Sequence, residues 1–298
     1  MDPIAKKLTG TGVALVTPFH RNGAVDFDAL TRLVNHILKG KCEYLVVLGT
    51  TGESVTLSSD EKKAVVDCVV AVNRNRVPLV LGLGGNDTAG LVRKLETSDF
   101  SGISALLSVS PYYNKPTQKG LLQHYTKLAK ASPLPLLLYN VPARTGSNLH
   151  QETVLRLAND VPTIIGIKEA SGSVEQAMDI IRQRPKGFLV ISGDDALTLP
   201  LLAAGADGVI SVVANAFPRE FSEMVRQALK SNFMKARQLH YGLLPIVPML
   251  FEEGNPAGVK CALKMLGISD EHLRLPLVPV SRQLAQQIQL FCAHQGQN

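Results

Sequence analysis

Residues 164–169 read Ile164-Ile165-Gly166-Ile167-Lys168-Glu169. A run of branched apolar residues of this kind reads as a buried β-strand; here it ends on a lysine and passes into Ala170-Ser171-Gly172. Because side chains alternate along a strand, Ile164, Gly166 and Lys168 are expected on one face, with Ile165 and Ile167 on the other. The lysine is then aimed the same way as a glycine that leaves space beneath it. An ammonium in apolar surroundings is costly to keep charged, so a lysine so placed tends to lose its proton and become a nucleophilic amine. That is the requirement for a Schiff base with a carbonyl substrate. A strand-end lysine that reaches into solvent fits the same run.

Outward from this strand, a strand-then-helix unit recurs along the chain. Residues 12–18 form an apolar strand, and 26–39 place Phe27, Leu30, Leu33, Val34, Ile37 and Leu38 at helical spacing. The run 44–49 leads to a helix ending near Asn73, opened by a capping box from Ser58 to Glu61. Strands at 78–83 and 105–110 precede helices at 88–97 and 118–131. The strand 134–140 precedes a helix that Asn148 can cap. The lysine strand is followed by a helix opening at Ser173, with Gln176 completing a second capping box. The strand 188–193 leads through Asp194-Asp195 to a helix ending at Ala204, and 208–213 leads to a helix with Pro218 in its first turn.

Eight such units predict an α/β fold, a (β/α)8 TIM barrel. After Asn232 three helical patterns follow, at 234–251, 256–266 and 281–293, with no strand between them. The expected organisation is a catalytic barrel over 1–231 and a C-terminal helical segment over 232–298.

Composition excludes several classes. The four cysteines, Cys42, Cys68, Cys261 and Cys292, are far apart with no C-x-x-C pair, which argues against a zinc site or disulfide framework and suits a reducing cytosol. Residues 1–10 lack an apolar core long enough for a signal peptide, and no later stretch approaches a membrane span. A cytoplasmic protein with no membrane partner is expected. The net charge of +6 is spread over scattered Lys and Arg with no Trp, so no nucleic-acid partner is expected and the charge suits an anionic substrate.

In a (β/α)8 barrel the site forms at the C-terminal strand ends, and the unusual residues fall there: Thr50 and Thr51, Tyr112 and Tyr113, Tyr139, Arg144 and Lys168. Tyr139 shares its strand face with Leu137, which points it inward beside Lys168, where a phenol can relay protons during imine formation. Gly49-Thr50-Thr51-Gly52 offers close backbone amides and two hydroxyls to a carboxylate. Arg144 adds a planar fork for a second one. Two other readings use part of this pattern. One is a catalytically silent barrel that binds or regulates. The other is a phosphate-binding barrel, suggested by Gly205-Ala206-Asp207-Gly208, although that turn precedes its strand and so lies on the opposite rim.

Taken together, GTTGE at 49–53, PYYNKP at 111–116, YNVPARTG at 139–146, GIKEASG at 166–172 and SGDDA at 192–196 resemble the dihydrodipicolinate synthase branch of the N-acetylneuraminate lyase superfamily, over the whole barrel. The resemblance implies condensation of pyruvate with L-aspartate 4-semialdehyde to 4-hydroxy-tetrahydrodipicolinate, on the diaminopimelate route to lysine, with no metal or organic cofactor. It implies Lys168 as the Schiff-base lysine and Tyr139 as the proton-transferring phenol. Thr51 would link Tyr139 to Tyr113, the latter coming from a neighbouring subunit of a homodimer or homotetramer. Thr50 and Thr51 would hold the pyruvate carboxylate, Arg144 that of the semialdehyde, and the backbone of Ile210 would line the pocket. The lysine, the tyrosine and the GTTGE turn are shared with sister aldolases acting on other 2-keto acids, such as N-acetylneuraminate or 2-keto-3-deoxy sugar acids. Arg144 distinguishes the branch.

Relatives inhibited by lysine bind it in a dimer cleft, to which Ser54, Asn86 and Tyr112 correspond here. Ser59 and Lys62 stand where the resemblance leads one to expect histidines, and Gly90 where it leads one to expect a glutamate. Losing a charged hydrogen-bond partner costs about 1.5–3 kcal/mol, roughly tenfold to hundredfold in affinity. A lysine titration of the initial rate is accordingly expected to give half-inhibition only above about a millimolar; inhibition below that would show that the cleft works despite these three residues.

Overall fold

The computed structural model of the protein describes residues 3–295; Met1, Asp2 and 296–298, the outer ends of the two expected segments, lie outside the described residues. Eight parallel strands, β1 (Gly10–Ala14), β2 (Tyr44–Val47), β3 (Leu79–Gly82), β4 (Ala105–Val109), β5 (Leu136–Asn140), β6 (Ile164–Glu169), β7 (Leu189–Ser192) and β8 (Gly208–Ser211), close into one barrel in chain order. The ring is completed by β8 returning to β1, with Ile210 opposite Gly12.

The strands are apolar on both faces because both faces are covered. In β2, Tyr44 and Val46 join Val80, Leu107, Leu137 and Ile210 in the barrel interior, while Leu45 and Val47 join Leu79, Leu106 and Leu138 beneath the helices. The helices supply the matching faces. Helix Phe27–Lys39 turns Leu30, Leu33, Val34 and Ile37 inward, and Asp26 caps it by accepting from the Ala29 N–H at 2.8 Å. The capping box of helix Ser59–Asn73 forms in both directions, Ser58 Oγ accepting from Glu61 N–H and Glu61 Oε2 from Ser58 N–H.

Several boundaries differ from the sequence reading, each for a local reason. Pairing of β1 with β2 does not run on to residue 18: the Leu15 N–H still reaches the Val46 carbonyl at 3.0 Å, but the Val16 N–H donates to Asn215 Oδ1 at 3.2 Å. Helix Gln151–Asp160 has His150 at its N-cap; Asn148 does not cap it, because its side chain is engaged with Asn140 and Gln176. At helix Val174–Gln183 only half of the expected box forms: Ser173 accepts from Gln176 N–H, while the Gln176 side chain turns to Glu169. After β7, Asp194 Oδ1 takes the Ala196 and Leu197 amides, which delays the helix to Thr198–Ala203. The pattern at 234–251 is two helices, Phe233–Leu243 and Ile246–Phe251, interrupted at Pro245, which has no N–H to continue the first. A short helix that the sequence reading does not find, Pro3–Lys7, sets Ala5 and Leu8 against the interior cluster.

The most consequential difference lies in β6. Leu136 pairs with Ile164, but Leu137 pairs with Gly166, so Ile165 is an extra residue in the ladder, a β-bulge. Ile164 consequently lies in the outer layer and Ile165 in the interior, the reverse of simple alternation counted back from the lysine. Past the bulge the phase is restored: Ile167 packs outward, and Gly166 and Lys168 face the interior. Gly166 leaves no void beneath the lysine, since a Cβ there would lie 2.7 Å from Leu189 Cβ and 3.0 Å from Leu137 Cδ2. Among the described residues no helix is long and apolar enough to cross a membrane.

Candidate active site

At the C-terminal ends of β5 and β6, Tyr139 and Lys168 stand directly opposite each other in the strand register. Lys168 Nζ lies 4.4 Å from the centroid of the Tyr139 ring, and both residues are buried. Among the described residues Lys168 makes no ion pair, so its amine is not committed to a carboxylate. Room for its stem comes from Gly193 just beyond β7, where a Cβ would sit 3.0 Å from Lys168 Cε and 2.5 Å from Ala170 Cβ. Ile210 on β8 closes another wall of the same interior.

The GTTGE stretch is a 3-10 turn, Thr50–Gly52, that follows β2 and leaves through Glu53 in the left-handed region at φ 50°. A non-glycine residue in that conformation costs free energy and persists only where its surroundings hold it. The C-terminal segment does so. From helix Ala257–Met265, the fully buried Lys260 donates to Glu53 Oε1 at 2.5 Å and to the His272 carbonyl at 2.8 Å, with its Nζ 4.2 Å from the Phe19 ring centroid. Burial pushes the Lys260 ammonium down to about 8, against the opposing pull of Glu53. Asn255, just before this helix, donates through Nδ2 to Thr51 Oγ1 at 2.9 Å. Beyond the helix, Arg274 clamps Glu61, the Gly23 carbonyl and the Thr56 carbonyl. Sequence reasoning treats this segment as an appendage. The one signal available there is a lysine in the middle of the apolar run Ala257-Gly258-Val259-Lys260-Cys261-Ala262.

The remaining expected site residues lie on the same rim, less tightly assembled. Arg144 is exposed on the short helix Pro142–Thr145 after β5, and among the described residues it has no carboxylate partner. Thr50 is exposed and Thr51 buried. Tyr113, at φ 71°, is 89% exposed in the single chain. Among the described residues, no hydrogen bond joins Thr51 to Tyr139 or Tyr113 within this one chain. In the region of the expected lysine cleft, Asn86 Nδ2 donates to the Tyr112 carbonyl at 3.4 Å. Lys62 is held below the usual lysine range by burial and by the neighbouring charge of Lys94, and Gly90 is backed by the Asp87 carboxylate. The turn before β8 is a structural tie: Asp207 pairs with Arg184, and its carboxylate also accepts from the Val190 N–H.

The model of the Dihydrodipicolinate synthetase family matches residues 7–294. The chain is 56% identical over 282 residues to the 4-hydroxy-tetrahydrodipicolinate synthase of Flavobacterium psychrophilum, covering 95% of this chain and 96% of that one. Among solved structures it is similar to a chain described as the first monomeric dihydrodipicolinate synthase variant, with 38% identity, 98% of each chain covered and a TM-score of 0.95. It is also similar to the chloride-inhibited dihydrodipicolinate synthase of Acinetobacter baumannii complexed with pyruvate, with 39% identity, 97% of this chain and 99% of that one covered, and a TM-score of 0.93.

One buried acid borders the site without entering it. Asp195 Oδ2, beyond β7, accepts from the Val212 and Val213 amides at 3.0 and 3.1 Å and so ties the loop after β7 to the loop after β8, while among the described residues its Oδ1 has no hydrogen-bond partner. Burial raises its carboxyl from 3.8 to about 6, with Asp194 adding to the rise. A group with a raised folded-state value contributes stability that is full below its unfolded value and is lost as pH climbs through the folded one. Between pH 3.8 and about 6 the native protein is therefore expected to lose stability relative to an Asp195→Asn variant, whose amide oxygen can still accept both N–H groups. Urea midpoints measured across that range check this, and parallel pH profiles for the two proteins would show that Asp195 does not titrate as described.

Proposed function

The chain belongs to the dihydrodipicolinate synthetase family, and we propose on that premise that it condenses pyruvate with L-aspartate 4-semialdehyde through an imine on Lys168. The product is 4-hydroxy-tetrahydrodipicolinate, on the route to diaminopimelate and lysine. The observation that carries the reading is the cross-strand pair of Lys168 and Tyr139, a buried amine without an ion partner set against a phenol. The amine adds to the ketone carbon of pyruvate, and the resulting hydroxyl leaves as water with a proton that Tyr139 can deliver. Loss of a methyl proton gives an enamine, whose carbon adds to the aldehyde. The amino group of the semialdehyde then bonds to the imine carbon and displaces Lys168, closing the ring and freeing the enzyme.

Substrate carboxylates select the remaining roles. Thr50 and Thr51, with the amides of their turn, are suited to hold the pyruvate carboxylate. The backbone of Ile210 is assigned to the wall beside it. Arg144, exposed and unpaired at the mouth, is suited to the carboxylate of the semialdehyde. The reading keeps 1–231 as the catalytic barrel and 232–298 as a helical segment, with Asn255 and Lys260 of the latter supporting the GTTGE turn. It places the enzyme in the cytoplasm with the rest of amino-acid synthesis. Borohydride with pyruvate is expected to add mass to the peptide holding Lys168. Arg144→Ala should slow use of the semialdehyde about tenfold to hundredfold, the loss of about 1.5–3 kcal/mol for a charged hydrogen bond, while leaving that labelling intact. A label on another lysine overturns the imine assignment, and equal loss of both steps gives Arg144 a structural role instead.

The functional unit in this reading is a homodimer or homotetramer in which Tyr113 completes the relay of Thr51 and Tyr139 in a neighbouring subunit. Its support is the exposure of Tyr113 at 89% and Val55 at 84% on the rim of the single chain. One similar solved chain is described as a monomeric variant, so activity and assembly are best measured together. Mixing inactive Tyr113→Phe and Lys168→Ala subunits is expected to restore part of the activity, because one hybrid site holds both native groups. A fully active monomer in sedimentation would rule this out.

A further inference from the structure

Behind the Tyr139–Lys168 pair, on the outer face of the same two strands, lies a second pair in the next register position, Asn140 opposite Glu169. Asn140 is fully buried and Glu169 nearly so. The orientation of the Asn140 amide is set by the backbone, because its Oδ1 accepts from the Leu149 N–H at 2.9 Å. Its Nδ2 is thereby aimed at the Glu169 carboxylate, 3.0 Å from Oε2 and 3.2 Å from Oε1, and also donates to Asn148 Oδ1 at 2.8 Å. Glu169 receives two further donors, the Ser171 N–H at 2.7 Å and Gln176 Nε2 at 3.0 Å. Asn148 and Gln176 close the ring, with Asn148 Nδ2 donating to Gln176 Oε1 at 2.7 Å. Among the described residues Glu169 has no cationic partner. A buried carboxylate is costly unless hydrogen bonds satisfy it, and here every donor it has is a neutral group on β5, on its own loop or on the following helix.

This arrangement sits where the sheet needs it. Asn140 and Glu169 are the last residues of β5 and β6, and beyond them both chains turn into loops. The ladder between the two strands is already interrupted by the bulge at Ile165, leaving only the rungs from Gly166 to Glu169 to set the position of Lys168 against Tyr139. We propose that Asn140 and Glu169 are positioning residues for the imine chemistry: their side-chain bond clamps the final rung from outside the barrel and so holds the Lys168 amine at its working distance from the Tyr139 phenol. The inference rests on the reading that Lys168 forms the imine. Displacement of a reacting group by about 1 Å can cost about a hundredfold in rate, so a clamp on this rung acts on the chemistry as well as on stability.

The test uses Glu169→Gln. With its oxygen kept on the Ser171 N–H, Gln at 169 would present an N–H₂ group to two existing donors, those of Asn140 and Gln176, and weaken the clamp with little change in volume. The rate of borohydride-trapped pyruvate label on Lys168, measured per folded molecule, is expected to fall about tenfold to hundredfold, with kcat reduced more than the KM for pyruvate. The swapped pair Asn140→Asp with Glu169→Gln, which reverses donor and acceptor once the Asn148 and Gln176 amides turn over to match, is expected to recover part of that loss. If Glu169→Gln does not fold, Asn140→Ala carries the same expectation. A trapping rate within about twofold of wild type per folded molecule, or a loss that tracks the unfolded fraction and is not recovered in the swap, overturns the proposal and leaves the pair a purely stabilising role. A label that lands on another lysine in the wild-type protein instead overturns the imine reading itself, which separates the two failures.

Discussion

One extra residue in one strand decides which way Lys168 faces in this barrel. With Ile164 packed under the helices and Ile165 in the interior, strict alternation from that point would carry Ile167 inward and send Lys168 out among the helices, where an unpaired ammonium would find no partner. The bulge at Ile165 resets the phase. Ile167 returns to the outer layer and Lys168 enters the barrel opposite Tyr139. Because a parallel strand in a closed barrel is buried on both faces, its apolar residues tolerate either phase. The lysine does not, and the bulge therefore matters chiefly for that one side chain.

The remaining construction keeps polar groups from relaxing away from the geometry this sets. Gly166 is filled in by Leu189 and Leu137, and Gly193 admits the lysine stem. Across the barrel mouth, Glu53 occupies a left-handed conformation and needs external support. The buried Lys260 supplies it at 2.5 Å. Removing one member of such a buried pair leaves an uncompensated charge, a loss of about 3–5 kcal/mol in general, so the C-terminal helices are bound energetically to the turn that carries Thr50 and Thr51. A segment outside the eight-unit pattern thereby helps shape the candidate active site.

Charge is distributed in keeping with two anionic reactants. Among the described residues, neither the Lys168 amine inside the mouth nor the Arg144 guanidinium outside it is in an ion pair. Three acidic residues at or just beyond the C-terminal strand ends are occupied elsewhere. Glu53 is paired to Lys260, Glu169 is turned outward into an amide network, and Asp195 is sequestered against two backbone amides. None of these side chains is left free to neutralise the lysine or the arginine.

The amino-acid sequence by itself determined the eight strand-helix units, the capping box at Ser58 and Glu61, the candidate residues on one rim and the family they belong to. Those features are written in local periodicity and in short motifs, both of which depend on neighbours within a few residues. The bulge could not be read, because Ile164-Ile165 is equally apolar in either phase and only pairing with β5 shows which residue is extra. Asn148 looks like a helix cap, and becomes part of the Glu169 network because Asn140, on β5, takes its oxygen and Gln176, 28 residues on, takes its N–H₂ group. The C-terminal helices show no sign of their task in sequence, since the partners of Asn255 and Lys260 lie 204 and 207 residues away. Tertiary structure decided these points for one physical reason: a buried polar group must find its partner wherever the fold brings one within reach.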